Sequence, residues 1–120
     1  RYLAMHGDVK AEALAWRSQL RKGTLELAVL LLLRRDRRYG VEIVEVLNEE
    51  GLGISEGSIY PLLARLKSEK KVSTEWVEAD IGHARKYYEL TEHGRQTCTA
   101  LLQAWRDYTG AFDRLSERKS

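Results

Sequence analysis

The spacing of apolar and polar residues in the first third of the chain predicts two helices on either side of a glycine. Apolar residues recur every three or four positions at Val9, Ala13, Trp16 and Leu20. This spacing predicts a helix over 9–21, for which Asp8 is a candidate N-cap. Gly23 is expected to end this helix, and Thr24 to cap a second one over 25–36 that contains the apolar run LAVLLLL.

A third helix is predicted over 41–50. Its apolar positions are Val41, Ile43, Val44, Val46 and Leu47. Gly51 and Gly53 are expected to close it, because helices commonly end on a glycine in the left-handed conformation. The glycines of GLGISEG also resemble a dinucleotide-binding fingerprint. The spacing is one residue too long, however, and a predicted helix stands where a strand is required, so a nucleotide site is not expected.

A fourth helix follows these glycines and has two candidate start points. With Ser55 as the N-cap, Pro61 removes one helical hydrogen bond. With Ser58 as the N-cap, Pro61 falls in the first turn, where proline is tolerated. From either start the helix is predicted to reach about Lys70.

The two faces of this fourth helix differ in character. Its predicted core face consists of Ile59, Leu62, Leu63 and Leu66. The opposite face has small or compact residues, namely Gly57, Pro61, Ala64 and Ser68. The edges of that face carry Ser58, Tyr60, Arg65 and Lys67. A slim face with polar and basic edges suits insertion into a DNA major groove, whereas an ordinary amphipathic surface helix is the alternative.

The period of the pattern changes from helix to strand after the fourth helix. Segments 72–78 and 85–90 are rich in β-branched and aromatic residues and predict two strands joined by a turn. From Thr91 a last helix is predicted to reach about Ser116. The predicted fold is therefore mainly α with a β-hairpin wing, a winged helix-turn-helix with a long C-terminal helix. The expected division is an N-terminal helix, a DNA-binding domain and a dimerisation helix, over residues 1–22, 23–91 and 92–120.

The last helix carries an apolar stripe with spacings of four, three, four and three residues. We call it the seam, and it consists of Leu101, Trp105, Tyr108, Phe112 and Leu115. This spacing is typical of a coiled-coil contact. The preceding domain can cover only part of so long a helix, so a second copy of the chain is the simplest partner and the seam is predicted to form a homodimer interface.

Net charge alone does not identify a partner. The 120 residues include 20 Lys and Arg against 18 Asp and Glu, a net charge of +2. A binding partner must therefore be predicted from local clusters of charge. Basic residues near the fourth helix are Arg65, Lys67, Lys70 and Lys71, and those of the hairpin are His83, Arg85 and Lys86. They can pair with DNA phosphates. Acidic Glu75, Glu78 and Asp80 share the hairpin and favour the alternative, a winged-helix protein–protein interaction module without DNA binding.

Other chemically reactive residue types stand alone in the sequence. His6, His83 and His93 lack the spacing of metal ligands, so no metal site is expected. Cys98 is interpreted as a small buried hydrophobic residue. No nucleophile–base pair, carboxylate dyad or cofactor loop is recognisable, so neither an enzyme nor a cofactor is predicted.

The compartment is predicted from cysteine use and from the lengths of apolar runs. One cysteine and no recognisable secretory segment favour a reducing compartment, so we expect a cytoplasmic protein. The longest apolar run, 27–33, is too short to span a bilayer, and no membrane partner is expected. Met5 is a candidate for the native first residue.

Four segments together resemble the PadR-like transcriptional regulators, in particular the smaller subfamily with a single C-terminal dimerisation helix. They are LRKGTLELAVLLLL, YGVEIVEVL, ISEGSIYPLLARLKSEKKV and GHARKYYELTEHG. The resemblance implies a homodimeric repressor that binds a double-stranded DNA operator and is released from it by a small ligand. With the basic residues above, it gives a predicted DNA-binding set of Tyr39, Ser55, Ser58, Tyr60, Arg65, Lys67, His83, Arg85 and Lys86. The turn GHARK departs from many relatives, which carry a second glycine and more arginines there.

Trp105 has two interpretations. In a multidrug-binding relative, tryptophans at the matching position sandwich flat aromatic ligands across the dimer, so the resemblance implies a ligand-binding role. Packing within the seam is the other interpretation and the favoured one, because tryptophan is common here in family members without a known ligand. Trp16 and Trp76 are interpreted as core or interface residues.

Overall fold

A single helix, α1, runs from Val9 to Arg35 in the computed structural model of the protein, which describes residues 8–80 and 82–117. Met5 and His6 lie outside the described residues. The elements after α1 are β1 (Arg38–Tyr39), α2 (Gly40–Glu49), α3 (Glu56–Ser68), β2 (Val72–Asp80), β3 (His83–Leu90) and α4 (Glu92–Glu117). The described residues thus form four helices and a three-stranded antiparallel sheet. The predicted winged helix-turn-helix with a long C-terminal helix is confirmed.

The prediction of two helices separated at Gly23 is wrong, because α1 continues through this residue. Thr24 caps no helix, and its hydroxyl instead donates to the carbonyl oxygen of Leu20 at 2.8 Å. A glycine in a helix costs only about 1 kcal/mol. The second half of α1 buries Leu27, Val29, Leu30, Leu32 and Leu33. Since burying one such side chain contributes about 1.5–3 kcal/mol, tertiary packing outweighs the local signal.

The N-terminal half of α1 is attached to the domain by two arginines. Arg17 donates from Nη2 to the carbonyl oxygen of Gly51 at 2.7 Å, and Arg21 donates from Nε to that of Leu52 at 2.8 Å. Asp8 lies at the N-cap position but makes no side-chain capping bond. The predicted stripe of apolar residues on this half is exposed at Val9, Ala13, Trp16 and Leu20. A core position for Trp16 is therefore wrong.

The turn between α2 and α3 follows the prediction and decides the start of α3. Gly51 and Gly53 have φ angles of 82° and 65°, the left-handed conformation that glycine adopts readily. The side chain of Asn48 bonds both the N–H and the carbonyl oxygen of Ile54. Ser55 is the N-cap, with extended backbone, so Pro61 lies inside the helix.

The central strand of the sheet is β3, which pairs with β2 as the wing hairpin and with β1 on its other edge. No pattern predicted β1, because two residues are too short to show alternation. The register sets Tyr39 opposite Tyr87, and Trp76 opposite Lys86. Tyr88 is buried and Tyr87 is only partly so, which confirms that these neighbours occupy opposite faces.

The core lies where the helices meet the base of the wing. Its buried members include Leu30, Leu33, Ile43, Leu47, Ile59, Leu63, Leu66, Val72, Tyr88, Leu90 and Cys98. The predicted core face of α3 is confirmed, with Leu62 partly buried against this cluster. The predicted core face of α2 is wrong for Val41, which is 45% exposed because it lies at the rim beside the wing. Trp76 is 68% exposed, so it is not a core residue either.

The start of α4 is fixed against the turn between α3 and β2. The Thr91 hydroxyl accepts from the N–H of Gly94 at 3.0 Å, and the Thr91 N–H donates to the carbonyl oxygen of Lys71 at 3.0 Å. Further along α4, Leu101 packs against the core, whereas the other seam residues, Trp105, Tyr108, Phe112 and Leu115, are exposed. Of the helices in the described residues, none is both long and apolar enough to cross a membrane.

Candidate nucleic-acid interface

The outer face of α3 has the predicted composition. The small or compact residues Gly57, Pro61, Ala64 and Ser68 are exposed, and so are the flanking Ser58, Tyr60, Arg65 and Lys67. At the N-terminus of the helix, the hydroxyl oxygens of Ser55 and Ser58 lie 3.2 Å apart. The helix therefore presents a slim surface edged with hydroxyl and cationic groups.

One face of the sheet carries arginines stacked on tyrosines. The Arg85 guanidinium lies 4.6 Å from the ring centroid of Tyr39, which meets the Tyr87 ring edge-on at 5.5 Å. Arg37 lies 4.9 Å from the Tyr87 centroid and 3.9 Å from the Glu75 carboxylate. Cation–π contacts of this kind hold the guanidinium groups along the sheet. No sequence pattern indicated Arg37, because its position depends on the pairing of β1 with β3.

A groove of about 290 Å³ opens between this sheet, the start of α2 and α3. We call it the wing groove, and its lining residues are Tyr39, Gly40, Val41, Tyr60, Trp76, Arg85, Lys86 and Tyr88. Lys86 reaches inward, with Nζ 5.7 Å from the Tyr88 ring centroid. Burial raises the pKa of Tyr88, and the nearby Tyr60 raises it further. A Cβ at Gly40 would come within 2.5 Å of the Tyr60 ring, so glycine lets Tyr60 lie against α2.

The structure thus brings four residues of the predicted DNA-binding set together in one groove, whereas the others lie elsewhere on the surface. Tyr39, Tyr60, Arg85 and Lys86 line the wing groove. Ser55, Ser58 and Lys67 lie exposed on or just before α3, and His83 is exposed beside the turn at the far end of the wing. As DNA contacts, all of these remain predictions.

Arg65 differs from the rest of the predicted set because its guanidinium is already paired. It donates from Nη2 to Oε1 of Glu26 at 2.7 Å, and from Nη1 to the Glu69 carboxylate at 3.1 Å. The Nζ of Lys71 lies 3.0 Å from the other oxygen of Glu26 and 2.9 Å from Glu69. Two acidic and two basic residues therefore form one network, which ties α1 to both ends of the turn after α3.

The charge state of Glu26 decides whether this network holds. Partial burial by itself raises the pKa of Glu26, but hydrogen bonds from Arg65 and Lys71 outweigh burial and hold the pKa below its ordinary value. A carboxyl with a lowered pKa in the folded state stabilises the fold fully above its unfolded pKa, about 4.5 here. That stabilisation is lost as the pH falls through the folded pKa.

Glu26→Gln should therefore destabilise the protein near neutral pH and have little effect in acid. We expect a loss of about 1–2 kcal/mol in the free energy of unfolding near pH 7, because two cations lose a charged acceptor. Urea unfolding followed by circular dichroism, repeated at decreasing pH, measures it. Glu45→Gln on the exposed surface of α2 is the control and should change stability little at any pH. A Glu26→Gln deficit that stays constant down to acid pH would contradict the ionic origin of the contact.

The sequence of the chain matches the Transcriptional regulator PadR-like family over residues 29–100, more than half of its length. The chain belongs to this family. A PadR-like transcriptional regulator from Bacillus cereus is 33% identical with a TM-score of 0.78, over 84% of this chain and 99% of that one. A PadR family transcriptional regulator from Eggerthella lenta is 30% identical with a TM-score of 0.79, over 97% of this chain and 100% of that one. Bacillus subtilis PadR, solved in complex with operator DNA, is 30% identical with a TM-score of 0.61, over 66% of this chain and 45% of that one.

The PadR-like match extends from the last two turns of α1 to the first part of α4 and so includes the whole turn between α2 and α3, α3 and the wing. The family consists of transcriptional regulators and not of enzymes, and the prediction of a transcriptional regulator is confirmed.

Cys98 is buried, as predicted for a small hydrophobic residue. This burial raises the pKa of its thiol. Among residues 8–80 and 82–117, no three His, Cys, Asp or Glu side chains are grouped to hold a metal ion.

Proposed function

We propose that this PadR-like protein is a cytoplasmic homodimeric repressor that binds double-stranded operator DNA through α3 and the wing. The observation that carries the proposal is the adjacency of two surfaces, the slim outer face of α3 and the cationic wing groove. The complex of Bacillus subtilis PadR with operator DNA supports it by similarity. A helix of this profile fits the major groove, and a wing beside it can reach the flanking backbone.

The predicted residues divide into two roles by their chemistry. Lys67, Arg85 and Lys86 are cations that would neutralise phosphates and give affinity without sequence preference. Ser58 and Tyr60 present hydroxyls near the start of α3, where side chains of a reading helix meet base edges. Arg65 and its carboxylate partners would have to separate before its guanidinium could bind a phosphate, so its contribution should be smaller than its charge suggests.

A mobility-shift titration on the protein's own upstream region, at two salt concentrations, tests DNA binding. Lys86→Ala should weaken binding and lower the slope of log affinity against log salt by about one unit, because one phosphate contact is lost. Lys10→Ala removes the same charge from the far end of α1 and should leave the slope unchanged.

The alternative function is a winged-helix protein–protein interaction module, and the exposed Glu75 and Glu78 on the wing favour it. Wild-type protein that shifts no upstream DNA at either salt concentration would support that alternative. If Lys86→Ala and the wild type instead have the same slope of log affinity against log salt, the phosphate contacts lie outside the wing groove.

The exposed apolar surface of both long helices supports the homodimer. Trp105, Tyr108, Phe112 and Leu115 line one side of α4, and the stripe on the N-terminal half of α1 adds Val9, Ala13, Trp16 and Leu20. Exposed apolar stripes of this kind mark interaction sites, and a second copy offers the same stripes in return. Two copies would present two α3 helices to two half-sites of a pseudo-palindromic operator, roughly 34 Å apart if the half-sites lie one helical turn apart.

The proposal also includes relief of repression by a planar aromatic ligand that binds at Trp105. Trp105 is 40% exposed and lines two depressions beside α1, of about 190 and 570 Å³. Planar aromatic compounds should quench tryptophan fluorescence, and Trp105→Ala should abolish the effect, because an indole is a stacking surface. Quenching that survives the substitution would assign the site to Trp16 or Trp76. No quenching across a broad aromatic panel would leave Trp105 a packing residue of the seam.

A further inference from the structure

Trp76 is the most exposed tryptophan in the described part of the chain, although it lies on the inner face of the wing. Side chains alternate between the two faces of a strand, so Trp76 shares its face with Val72, four residues earlier in β2. Its cross-strand partner Lys86 likewise shares a face with Tyr88 and Leu90. Val72, Tyr88 and Leu90 are buried under the helices. Trp76 therefore faces the helical side of the sheet at the level where the wing extends beyond the core.

The surroundings of Trp76 match a chain of phosphates better than an apolar partner. Trp76 lines the wing groove together with two cations, Arg85 and Lys86, and no carboxylate is among the described lining residues. The rest of the lining is aromatic or small. Nucleic-acid-binding surfaces combine basic groups that follow the phosphate backbone with aromatic side chains that offer flat contact surfaces.

The wing groove is also continuous with the proposed DNA surface. Tyr60 enters it from α3, and Arg85 and Lys86 enter it from β3. If a DNA duplex contacts both α3 and the wing, its sugar–phosphate backbone passes between them. This position makes the operator backbone a better occupant than a second copy of the chain, for which the exposed stripes lie on α1 and α4 instead.

We propose that Trp76 is a DNA-binding residue that packs its indole ring against a sugar of the operator backbone and donates its Nε1–H to an adjacent phosphate. The inference rests on the proposed DNA-binding function and adds a contact to it. Lys86, the cross-strand partner of Trp76, neutralises the phosphate that the indole N–H holds. Because the indole is neutral, Trp76 contributes affinity without releasing a counterion, which separates its effect from that of a lysine.

The substitution test compares affinity with salt dependence. Trp76→Ala should weaken operator binding about tenfold, the effect of one hydrogen bond to a charged group, and leave the salt slope unchanged. Trp76→Phe keeps an aromatic ring without the N–H and should lose part of this affinity. Val77→Ala, on the next residue and the opposite sheet face, is the matched control and should bind like the wild type. Thermal melts of all three variants check that the wing is folded.

A fluorescence test reports the contact directly. In the Trp16→Phe, Trp105→Phe double variant, Trp76 is the remaining tryptophan. Its emission should change on titration with upstream DNA, with the same midpoint as the anisotropy of labelled DNA. DNA that binds without changing this emission, together with wild-type affinity of Trp76→Ala, would overturn the inference and leave the proposed function standing. A Trp76→Ala variant with a lowered salt slope would also overturn it, since Trp76 would then act by moving Lys86. Absence of DNA binding by the wild type would overturn the proposed function itself.

Discussion

Gly94→Ala is expected to unfold the protein or to destabilise it severely. Gly94 lies in the first turn of α4, where an added Cβ would overlap the carbonyl oxygen of Lys71 and come within 3.0 Å of its carbonyl carbon. This carbonyl cannot move freely, because it accepts from the N–H of Thr91 at 3.0 Å. The methyl group must therefore push α4 away from the turn that joins α3 to the wing. Overpacking against backbone costs about 3 kcal/mol or more, a large part of the stability of a small domain.

The matched control for Gly94→Ala is Gly23→Ala, the same substitution inside another helix. No atom lies within 4 Å of a Cβ at Gly23. Alanine there should stabilise α1 by about 0.5–1 kcal/mol, because it restricts the unfolded chain more than glycine does. Thermal unfolding followed by circular dichroism measures both variants. Equal melting temperatures for Gly94→Ala and the wild type would show that α4 does not rest on this turn.

Elements whose buried residues repeat over several turns were predictable from the sequence. The core face of α3 and the alternation of the wing strands follow directly from periods of 3.6 and 2. The boundary at Gly23 was not predictable in the same way. Glycine followed by threonine is a local signal worth about 1 kcal/mol, whereas the burial that overrides it depends on elements far away in the chain.

The ion network around Arg65 shows a second limit of sequence patterns. The pair of Arg65 with Glu69 spans one helical turn, and its spacing can be recognised on a predicted helix. Glu26, the closer partner of Arg65, is 39 positions away on another helix. Periodicity within one element carries no information about such a contact. For this reason the sequence predicted Arg65 only as a partner of DNA phosphates, whereas in the structure it is bound to two carboxylates.

The wing groove shows why a binding surface is harder to predict than a fold. Alternation along β2 assigns Trp76 to the core face but does not reveal how far the sheet extends past the helices. Tyr39 and Arg85 meet because β1 pairs with β3, and β1 has only two residues. Residue types and faces were therefore predictable, but their grouping around one groove required the three-dimensional register.

The structure also identifies which seam residue tests dimerisation without disturbing the fold. Leu101 packs against the core of its own chain, so a charge there would damage the monomer as well as the interface. Phe112 is 50% exposed, and its ring centroid lies 5.1 Å from that of Tyr108 on the same helix. A charged residue at 112 can remain in water in the monomer. In a dimer that buries the seam, the same charge would lose its water.

Phe112→Glu is accordingly expected to produce folded monomers that bind the operator much more weakly than the wild type. An unpaired charge buried in an apolar interface costs about 3–5 kcal/mol, so the dimer dissociation constant should rise at least about 100-fold. Sedimentation would report the mass, and circular dichroism would report a helical content like that of the wild type. Thr99→Glu places the same charge on the exposed opposite side of α4 and should leave the dimer intact.

The weaker operator binding of Phe112→Glu would follow from the loss of the dimer and not from a lost DNA contact, because residue 112 lies on the last turns of α4, far along the chain from α3 and the wing. A monomer can occupy only one half-site, so the affinity gained from linking two reading helices disappears and the weaker binding of a single domain remains. A mobility shift on the upstream region should then need protein concentrations at least about 100-fold higher. Dimers at the wild-type concentration would exclude this part of α4 from the interface. Monomers that bind the operator as tightly as the wild type would show that one α3 helix and one wing are enough to recognise the site.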